Sequence, residues 1–505
     1  MATETVTLEL SDVTPTGGPQ AAGLAVSPKT SKIAQPLHIY EPAIEPYEPE
    51  YPTGAKFYAI VLSLCMVLVL WGMDETIVGT AVPAITDHFH TVADAATSSK
   101  MFIVGRAICG LGTSGMSSGC FTLMVLLFPL RRRPMYQGCF GIIEAAAVLM
   151  APILGGVLTE KLSWRWCSWI SLPLGVPTLL VMAFFLTNPR VEGGEGMTRK
   201  ELISQLDLIG NVCFVPSITC LFVALGGAGV TYPWSDWRVI VPLVVFVVLL
   251  VAFIWQQYRK QDAATIPPRI IKQRNIIASI IFICCCNSSQ TVIQYYIPTY
   301  FQAVRGFSPA KSGYMLLPFN ISFSIGMLMI GSGTSIFGYF TPFMIFASII
   351  MPVSTGLMTT WALDTPLVTL LVYSGFVGFA SGVGFMGPQS AVQSTLPHSD
   401  IPLGIAIVLF PQHFGPALFL AAAQSIFTNQ LVENLKGLPG LSADMIEHTG
   451  LTELKALVNG ENLQEALRSF DKSLTQMWYL CVALACMTIV GSLLMEWRSV
   501  KQKKT

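Results

Sequence analysis

The chain has 505 residues, a formal net charge of +0 at pH 7, 52% hydrophobic residues and only 11% charged residues. Soluble domains carry about 25% charged residues, and a neutral chain has no general electrostatic attraction for nucleic acid. These values exclude an ordinary soluble protein and a nucleic-acid-binding protein, and they favour a polytopic membrane protein.

Residues 1–55 are rich in Pro, Thr and Glu and contain no long apolar run, so we expect a disordered cytosolic tail. Beyond this tail, twelve apolar stretches each approach the roughly 20 residues that a helix needs to cross a bilayer. The spans are predicted at 57–79, 101–128, 138–160, 165–187, 207–229, 237–257, 275–298, 312–332, 338–359, 366–387, 401–425 and 476–496.

Lys and Arg are concentrated in alternate connecting segments, which sets the expected orientation. The basic segments are residues 131–133, the stretch before Leu202, residues 259–274 and the tail 498–505. By the positive-inside rule, both termini are expected in the cytosol. The plasma membrane is favoured, with the vacuolar membrane as the alternative.

The second span carries small residues on one face, with Gly105 and Gly112 seven positions apart and Gly110 between them. Such a face allows a neighbouring helix to approach closely. Arg106 lies in the same apolar segment, where a charge costs about 2.5–3.5 kcal/mol on insertion scales. It is expected to face a wet interior or pair with a carboxylate, or else to snorkel to the outer surface.

The third span has a similar face, formed by Ala147, Ala151 and Gly155, with a kink expected at Pro152. Glu144 lies one turn earlier. A carboxylate at this position is either a proton carrier or the structural partner of an arginine.

A polar stripe marks the seventh span, where Asn287, Gln290 and Gln294 are spaced to share one helix face. Membrane helices seldom expose such a stripe to lipid, so it is expected to face either a substrate cavity or a hydrogen-bonding neighbour. Asn320, in the eighth span, is a further candidate for the cavity because a glycosylation sequon inside a span cannot be used.

Several segments resemble, in order, motifs of the major facilitator superfamily, and most closely its fungal drug:proton antiporter branch with 14 spans. The matching segments are Asp74-Glu75-Thr76-Ile77-Val78 with Ala81-Val82-Pro83, Gly105-Arg106 with Gly110 and Gly112, Ala151-Pro152-Ile153-Leu154-Gly155-Gly156, and Ser163-Trp164-Arg165-Trp166. The resemblance implies an all-α polytopic protein with the major facilitator fold, in which two lobes rock about a central site.

The resemblance also implies domain boundaries. We expect an incomplete N-terminal lobe at 56–187, a linker with two extra spans at 188–274, and a C-terminal lobe at 275–497 with an outer loop at 426–475.

By resemblance, the function is proton-coupled efflux of small amphipathic organic compounds such as toxins or drugs. The expected energy source is a proton gradient, with no cofactor, no metal and no enzymatic activity. Asp74 matches the first motif and is a coupling candidate, Gln412 is a cavity candidate, and His413 is a titratable neighbour with either a proton-transfer or a structural role. The lipid bilayer is the other partner, and the sequence leaves the substrate and the oligomeric state open.

One departure from the resemblance is large. In that family, two further helices and a basic loop separate the first motif from the arginine-bearing helix, whereas here only residues 86–100 intervene. We expect a deletion or a misannotated splice. The alternatives to an exporter are a siderophore-type importer and a transport-deficient product of a truncated gene.

Overall fold

The computed structural model describes residues 54–90, 95–163, 165–185, 207–228, 232–307, 309–397, 399–435 and 463–501. These residues are almost entirely helical. The helices are α1 (Ala55–His90), α2 (Ala95–Leu127), α3 (Arg133–Lys161), α4 (Trp166–Trp169), α5 (Ser171–Phe185), α6 (Leu208–Gly227), α7 (Trp237–Lys260), α8 (Pro268–Ile271), α9 (Arg274–Ala303), α10 (Pro309–Tyr314), α11 (Leu317–Phe337), α12 (Thr341–Met358), α13 (Leu367–Phe385), α14 (Gly387–Thr395), α15 (Ile401–Leu435) and α16 (Leu463–Leu494).

Twelve helices or helix pairs among the described residues are long and apolar enough to cross a membrane, and each coincides with one of the predicted spans. Hydrocarbon offers no hydrogen bonds, so a spanning segment must satisfy its own backbone, which a helix does. The largest boundary difference is at α16, which begins at Leu463 rather than near residue 476. The predicted tail lies outside the described residues, as does most of the predicted outer loop.

Helix α7 carries aromatic and basic residues at both of its ends. At the start, the Asp236 side chain accepts a hydrogen bond from the Arg238 backbone N–H, and the Arg238 guanidinium lies 4.9 Å from the Tyr232 ring centroid. At the other end, the Arg259 guanidinium lies 3.9 Å from the centroid of Trp255. Such residues prefer the membrane–water interfaces. At 1.5 Å per residue, the 24-residue helix between them is about 36 Å long, which matches a bilayer.

The basic connecting segments lie together on one side of the bundle, which we call the basic face and define by residues 131–133, 259–274 and 494–501. Arg274 Nε donates to the Leu494 carbonyl at 2.7 Å, and the Val500 N–H donates to the Gly338 carbonyl at 2.8 Å. Arg131 Nε lies 3.5 Å from the Ser335 carbonyl. These segments are separated by even numbers of spans, so successive spans alternate in direction through the bundle.

Helices α11 and α13 pack with their backbones in contact. A β-carbon added to Gly378 would lie 2.2 Å from the Phe319 carbonyl oxygen, and one added to Gly382 would lie 2.1 Å from that of Phe323. Both clashes are with backbone, so only glycine fits unless the helices separate. This contact fixes the C-terminal group of helices, α9–α16, which carries most of the polar residues discussed below.

Replacement of Gly378 by alanine is expected to separate α11 from α13 and to lower the apparent melting temperature of the purified protein by several degrees, because overpacking costs about 1–3 kcal/mol. The measurement is thermal unfolding in detergent, followed by tryptophan fluorescence. Gly356→Ala is the matched control, since no atom lies within 4 Å of its added β-carbon. Equal melting temperatures for the two variants would contradict the packing.

Candidate functional site in the centre of the bundle

Asp74 joins α1 to α2. Its carboxylate accepts a 3.0 Å hydrogen bond from the Thr113 hydroxyl and lies 3.4 Å from the Cys109 sulfur. A carboxylate inside a span is costly unless it is paired or hydrated, so these donors favour its retention between the two helices. The side chains of Arg106, Thr76 and Pro83 lie outside the described part of the structure, and the coupling role of Asp74 and Arg106 stays a prediction.

The predicted small-residue face of α3 packs against α1. Ala151 is fully buried, and a β-carbon on Gly72 of α1 would lie 2.9 Å from the Glu144 carbonyl oxygen and 3.2 Å from the Ala147 β-carbon. Gly155 is also buried. Glu144 is half-buried on this helix, and its role as a proton carrier stays a prediction. The surroundings of the other two motif residues, Pro152 and Gly156, lie outside what the structure describes.

The predicted small-residue face of α2 does not pack in this way. No described atom lies within 4 Å of a β-carbon added to Gly105, Gly110 or Gly112. The neighbouring Leu111 is 75% exposed. The expected close approach of another helix is therefore not seen among the described residues.

Two predicted cavity residues meet between α9 and α15. Asn287 Nδ2 donates to the Gln412 carbonyl at 3.2 Å, and Gln412 Oε1 accepts from Gln389 Nε2 at 2.8 Å. All three side chains are buried. The result is a chain of amides linking α9, α15 and α14 inside the membrane.

A second pair of predicted residues joins α9 to α11, where Gln294 Nε2 lies 3.4 Å from Asn320 Oδ1. Gln290, one turn before Gln294, has a buried Oε1 with no hydrogen-bond donor among the described residues. Further along α9, the Tyr296 hydroxyl donates to Gln424 Oε1 on α15. Asn287 and Gln294 of the polar stripe therefore face neighbouring helices.

His413 faces the opposite way from its buried neighbour Gln412. Its ring centroid lies 6.2 Å from that of Trp71 on α1. The His413 side chain is nevertheless exposed in the middle of the helix. It therefore stands where the C-terminal group of helices meets the N-terminal group, α1–α5. A transfer of protons by this residue stays a prediction.

The two groups are held together toward the basic face by an apolar cluster. It includes residues of α1, α2, α3, α9, α14 and α15, and its largest fully buried side chain is Phe128, at the end of α2. Helices α3 and α11 also cross closely, since a β-carbon on Gly331 would lie 2.5 Å from the Pro134 carbonyl oxygen. Apolar side chains therefore pack between the central polar groups and the basic face in this conformation.

A polar network on the basic face was not predicted from the sequence. The fully buried carboxylate of Asp207, which precedes α6, accepts hydrogen bonds from Gln257 Nε2 at 2.8 Å and from the Thr265 N–H at 3.2 Å, and it pairs with Lys260 Nζ at 3.1 Å. Burial alone raises the pKa of Asp207, but the bonds from Gln257, Lys260, Thr265 and Gly210 outweigh burial and lower the pKa to about 2. The only sequence signal was the adjacent pair Gln256 and Gln257 near the end of an otherwise apolar helix, and nothing in that pattern links it to Asp207.

The same segment is tied to α15 by a second ion pair. Arg269 binds the Asp400 carboxylate through both terminal nitrogens, Nη2 at 3.0 Å from Oδ1, while its Nε donates to Asp262 at 2.6 Å. The hydrogen bond from Arg269 holds the pKa of Asp400 below its usual value. Within the hydrocarbon, ring contacts of Phe214 with Phe410 (5.2 Å) and of Phe222 with Phe414 (5.9 Å) continue the attachment of α6 to α15.

A bundle of membrane-spanning helices with paired carboxylate, hydroxyl and amide groups at its centre defines a polytopic protein of the transporter class. A family model described as Major Facilitator Superfamily matches residues 76–420. "MFS-type efflux pump MFS1" of Arthroderma benhamiae is 34% identical, over 91% of this chain and 95% of that protein. "Rubrofusarin-specific efflux pump aurT" of Gibberella zeae is 32% identical, over 90% of this chain and 92% of that protein. The chain belongs to the Major Facilitator Superfamily.

Among solved structures, the human organic anion transporter MFSD10 is similar with a TM-score of 0.44 and 13% identity, over 85% of this chain and 82% of that one.

The alignments leave part of each relative without a counterpart. The alignment with the Arthroderma benhamiae protein extends over 509 positions but uses 91% of a chain of 505 residues, or about 460 residues. About 50 aligned positions therefore have no residue from this chain, and the alignment with the Gibberella zeae protein, 501 positions for 90% of the chain, leaves a similar number. That length suffices for two membrane spans and a connecting loop.

The Asp207 network is expected to stabilise the folded protein at neutral pH. Because the pKa of Asp207 is lowered from 3.8 to about 2 in the folded state, the stabilisation is present above pH 3.8 and is lost as the pH falls through about 2. Asp207→Asn should lower the melting temperature at pH 7, corresponding to about 1–3 kcal/mol, and the difference from wild type should shrink only below about pH 4.

The matched control is Asp262→Asn, because the Asp262 side chain is 75% exposed and a surface pair contributes about 0–1 kcal/mol. Thermal unfolding between pH 3 and pH 7 measures both variants. A pH-independent difference for Asp207→Asn would contradict a role for its charge.

Proposed function

We propose that this protein is a secondary active transporter that exports small amphipathic organic compounds in exchange for protons. Family membership supports a transporter, and the curated relatives support export, because both of those described above are named as efflux pumps. The observation that carries the proposal to this chain is the buried amide chain Asn287–Gln412–Gln389 together with the Asp74 carboxylate, both within membrane-spanning helices. The proton gradient supplies the energy, without a cofactor or an enzymatic step.

The basic face is proposed to be cytosolic, which places both termini in the cytosol, with the plasma membrane as the site of action. In that orientation the conformation described here is closed to the cytosol by the apolar cluster around Phe128. The protein would then release its substrate and accept a proton on the opposite side of the membrane.

Asp74 is suited to couple the two events. As a carboxylate it accepts the hydrogen bond of Thr113, which holds α1 to α2. Protonation removes its charge and half of its accepting capacity, so the α1–α2 contact has a different free energy in the two states. A difference of that kind biases which conformation is populated.

The coupling is tested with purified protein in liposomes whose lumen is acidic, so that the lumen represents the outside of the cell. The probe compounds are rubrofusarin, after the substrate named for the Gibberella zeae relative, and rhodamine 6G. We expect wild type to accumulate at least one of them in the lumen, and Asp74→Asn to lower the gradient-driven accumulation by about tenfold, since an uncharged side chain cannot carry the coupling.

Asp236→Asn is the control, because Asp236 caps α7 away from the bundle centre. Equal accumulation with and without the pH gradient would contradict proton coupling. Flux of the probes from the lumen into the medium under the same gradient would favour an importer, such as a siderophore-type carrier.

A second candidate function is supported by α2 and by the alignments. The face of α2 at Gly105 and Gly112 is open, and roughly 50 aligned positions have no residue from this chain. Both observations favour a transport-deficient product that lacks two family helices.

Sequencing of the full transcript across the codons for Asp94 to Met101 decides between the two functions. About 50 additional residues there would restore a complete N-terminal lobe and support export, whereas a transcript that matches this chain would favour impaired transport.

A further inference from the structure

Three buried glutamines, none of them predicted as site residues from the sequence, extend from the central amides toward the basic face. Gln137 of α3 is 1% exposed, and Gln389 and Gln393 of α14 are 0% and 4% exposed. From the sequence, residues 389 and 393 were expected in a connecting segment, because the tenth span was predicted to end at 387. In the structure, α14 continues to Thr395 and places both glutamines, four residues apart, on one helix face.

The three side chains lie toward the basic face from the point where α3 meets α11 and the start of α14. A β-carbon on Gly141 would lie within 3.5 Å of Met386, the residue before α14, and closer still to Met327 of α11. Gln137 precedes Gly141 by one turn on the same face of α3. Gln389 and Gln393 follow Met386 in the same direction, toward the basic face. We call these residues the glutamine row.

The glutamine row has unused hydrogen-bonding capacity. Neither Nε2 nor Oε1 of Gln137 has a hydrogen-bond partner among the described residues, and the same is true of Gln389 Oε1 and Gln393 Nε2. A buried amide group without a partner destabilises the folded state, and a methionine of similar size would avoid this cost. Closed packing alone therefore gives no reason for three glutamines here.

The location supplies a reason. The row lies between the N-terminal and C-terminal groups of helices, and its Gln389 donates to Gln412 of the central amide chain. If these groups separate at the basic face, the row becomes the polar lining of the space that opens, continuous with the central site.

We propose that Gln137, Gln389 and Gln393 line the inner half of the translocation path and bind hydroxyl and carbonyl groups of the substrate before it reaches Gln412. The proposal rests on the transport function proposed above. Amides suit this role because each both donates and accepts hydrogen bonds without carrying a charge. The row therefore favours uncharged oxygen-rich compounds over cations.

The first test measures stability and does not depend on transport. Gln137→Met is expected to leave the melting temperature unchanged or to raise it, because it removes a buried group without a partner. The matched control is Gln257→Met, which removes an amide whose Nε2 and Oε1 both form hydrogen bonds at 2.8 and 2.9 Å and should lower the melting temperature. A loss for Gln137→Met as large as that of the control would overturn the proposal, because it would mean that Gln137 is a satisfied structural group.

The second test measures access from the basic face. In inside-out membrane vesicles, Gln393→Cys is expected to react with a sulfonated, membrane-impermeant maleimide, followed by peptide-resolved mass spectrometry. The native thiols of Cys286 and Cys481, both 0% exposed in the C-terminal group, are internal controls that should stay unmodified. A Gln393→Cys variant as unreactive as Cys286 would overturn the proposal.

The flux assay separates this proposal from the proposed function. In that assay, Gln137→Met should raise the KM for rubrofusarin several-fold and leave the maximal rate close to wild type. If wild type moves neither probe, the transport function fails, whereas the stability and labelling results still decide whether the row is a path that opens to the basic face.

Discussion

The absence of hydrogen-bonding solvent in the hydrocarbon is the constraint on which the rest of this structure depends. It requires helices for the backbone, and it makes a polar side chain in a span costly unless that side chain finds a partner inside the protein or faces water. Asn287 and Gln412, Gln294 and Asn320, and Asp74 and Thr113 are each paired across a helix contact for this reason. Hydrogen bonds between polar side chains therefore contribute, together with the glycine contacts, to which helices are neighbours.

The two groups of helices differ in how completely they meet this constraint. In the C-terminal group, glycines on α13 bring its backbone against that of α11, and α9 is buried along most of its length. In the N-terminal group, α1 and α3 pack closely at Gly72 and Ala147, but the face of α2 at Gly105 and Gly112 meets no described atom. The N-terminal group therefore leaves one glycine-rich helix face without a described neighbour.

Hydropathy was sufficient to find all twelve spans, because the bilayer imposes one length and one composition on each of them. It was less successful at helix ends. Helix α16 starts at Leu463 because helical backbone continues beyond the apolar stretch, and Gln389 and Gln393 were assigned to a loop because two amides lower the hydropathy of a segment that stays helical.

Side-chain pairing could be predicted only in part. The spacing of Asn287, Gln290 and Gln294 places them on one helix face, whereas the partners of Asn287 and Gln294, in α15 and α11, follow from tertiary packing that spacing does not encode. The small-residue faces of α2 and α3 have equivalent sequence patterns, yet only that of α3 is occupied. A pattern shows that close approach is allowed, and a neighbouring helix must exist for it to occur. The hydrogen bonds that Asp207 accepts from Gln257 and Thr265 join segments 50 or more residues apart in the chain, so a local sequence pattern could not predict them.

The attachment of α6 and α7 has a mechanical consequence. These two helices hold to α15 through Phe214 and Phe222 within the membrane, and they join the segment that Asp400 binds at the basic face. Most of the surface of α7 faces lipid, with Val244, Val248 and Val251 all more than half exposed. Any tilt of α15 therefore moves the lipid-facing pair α6–α7 through the bilayer. The viscosity of the membrane then contributes to the friction on that motion, and the thickness of the membrane contributes to its elastic cost.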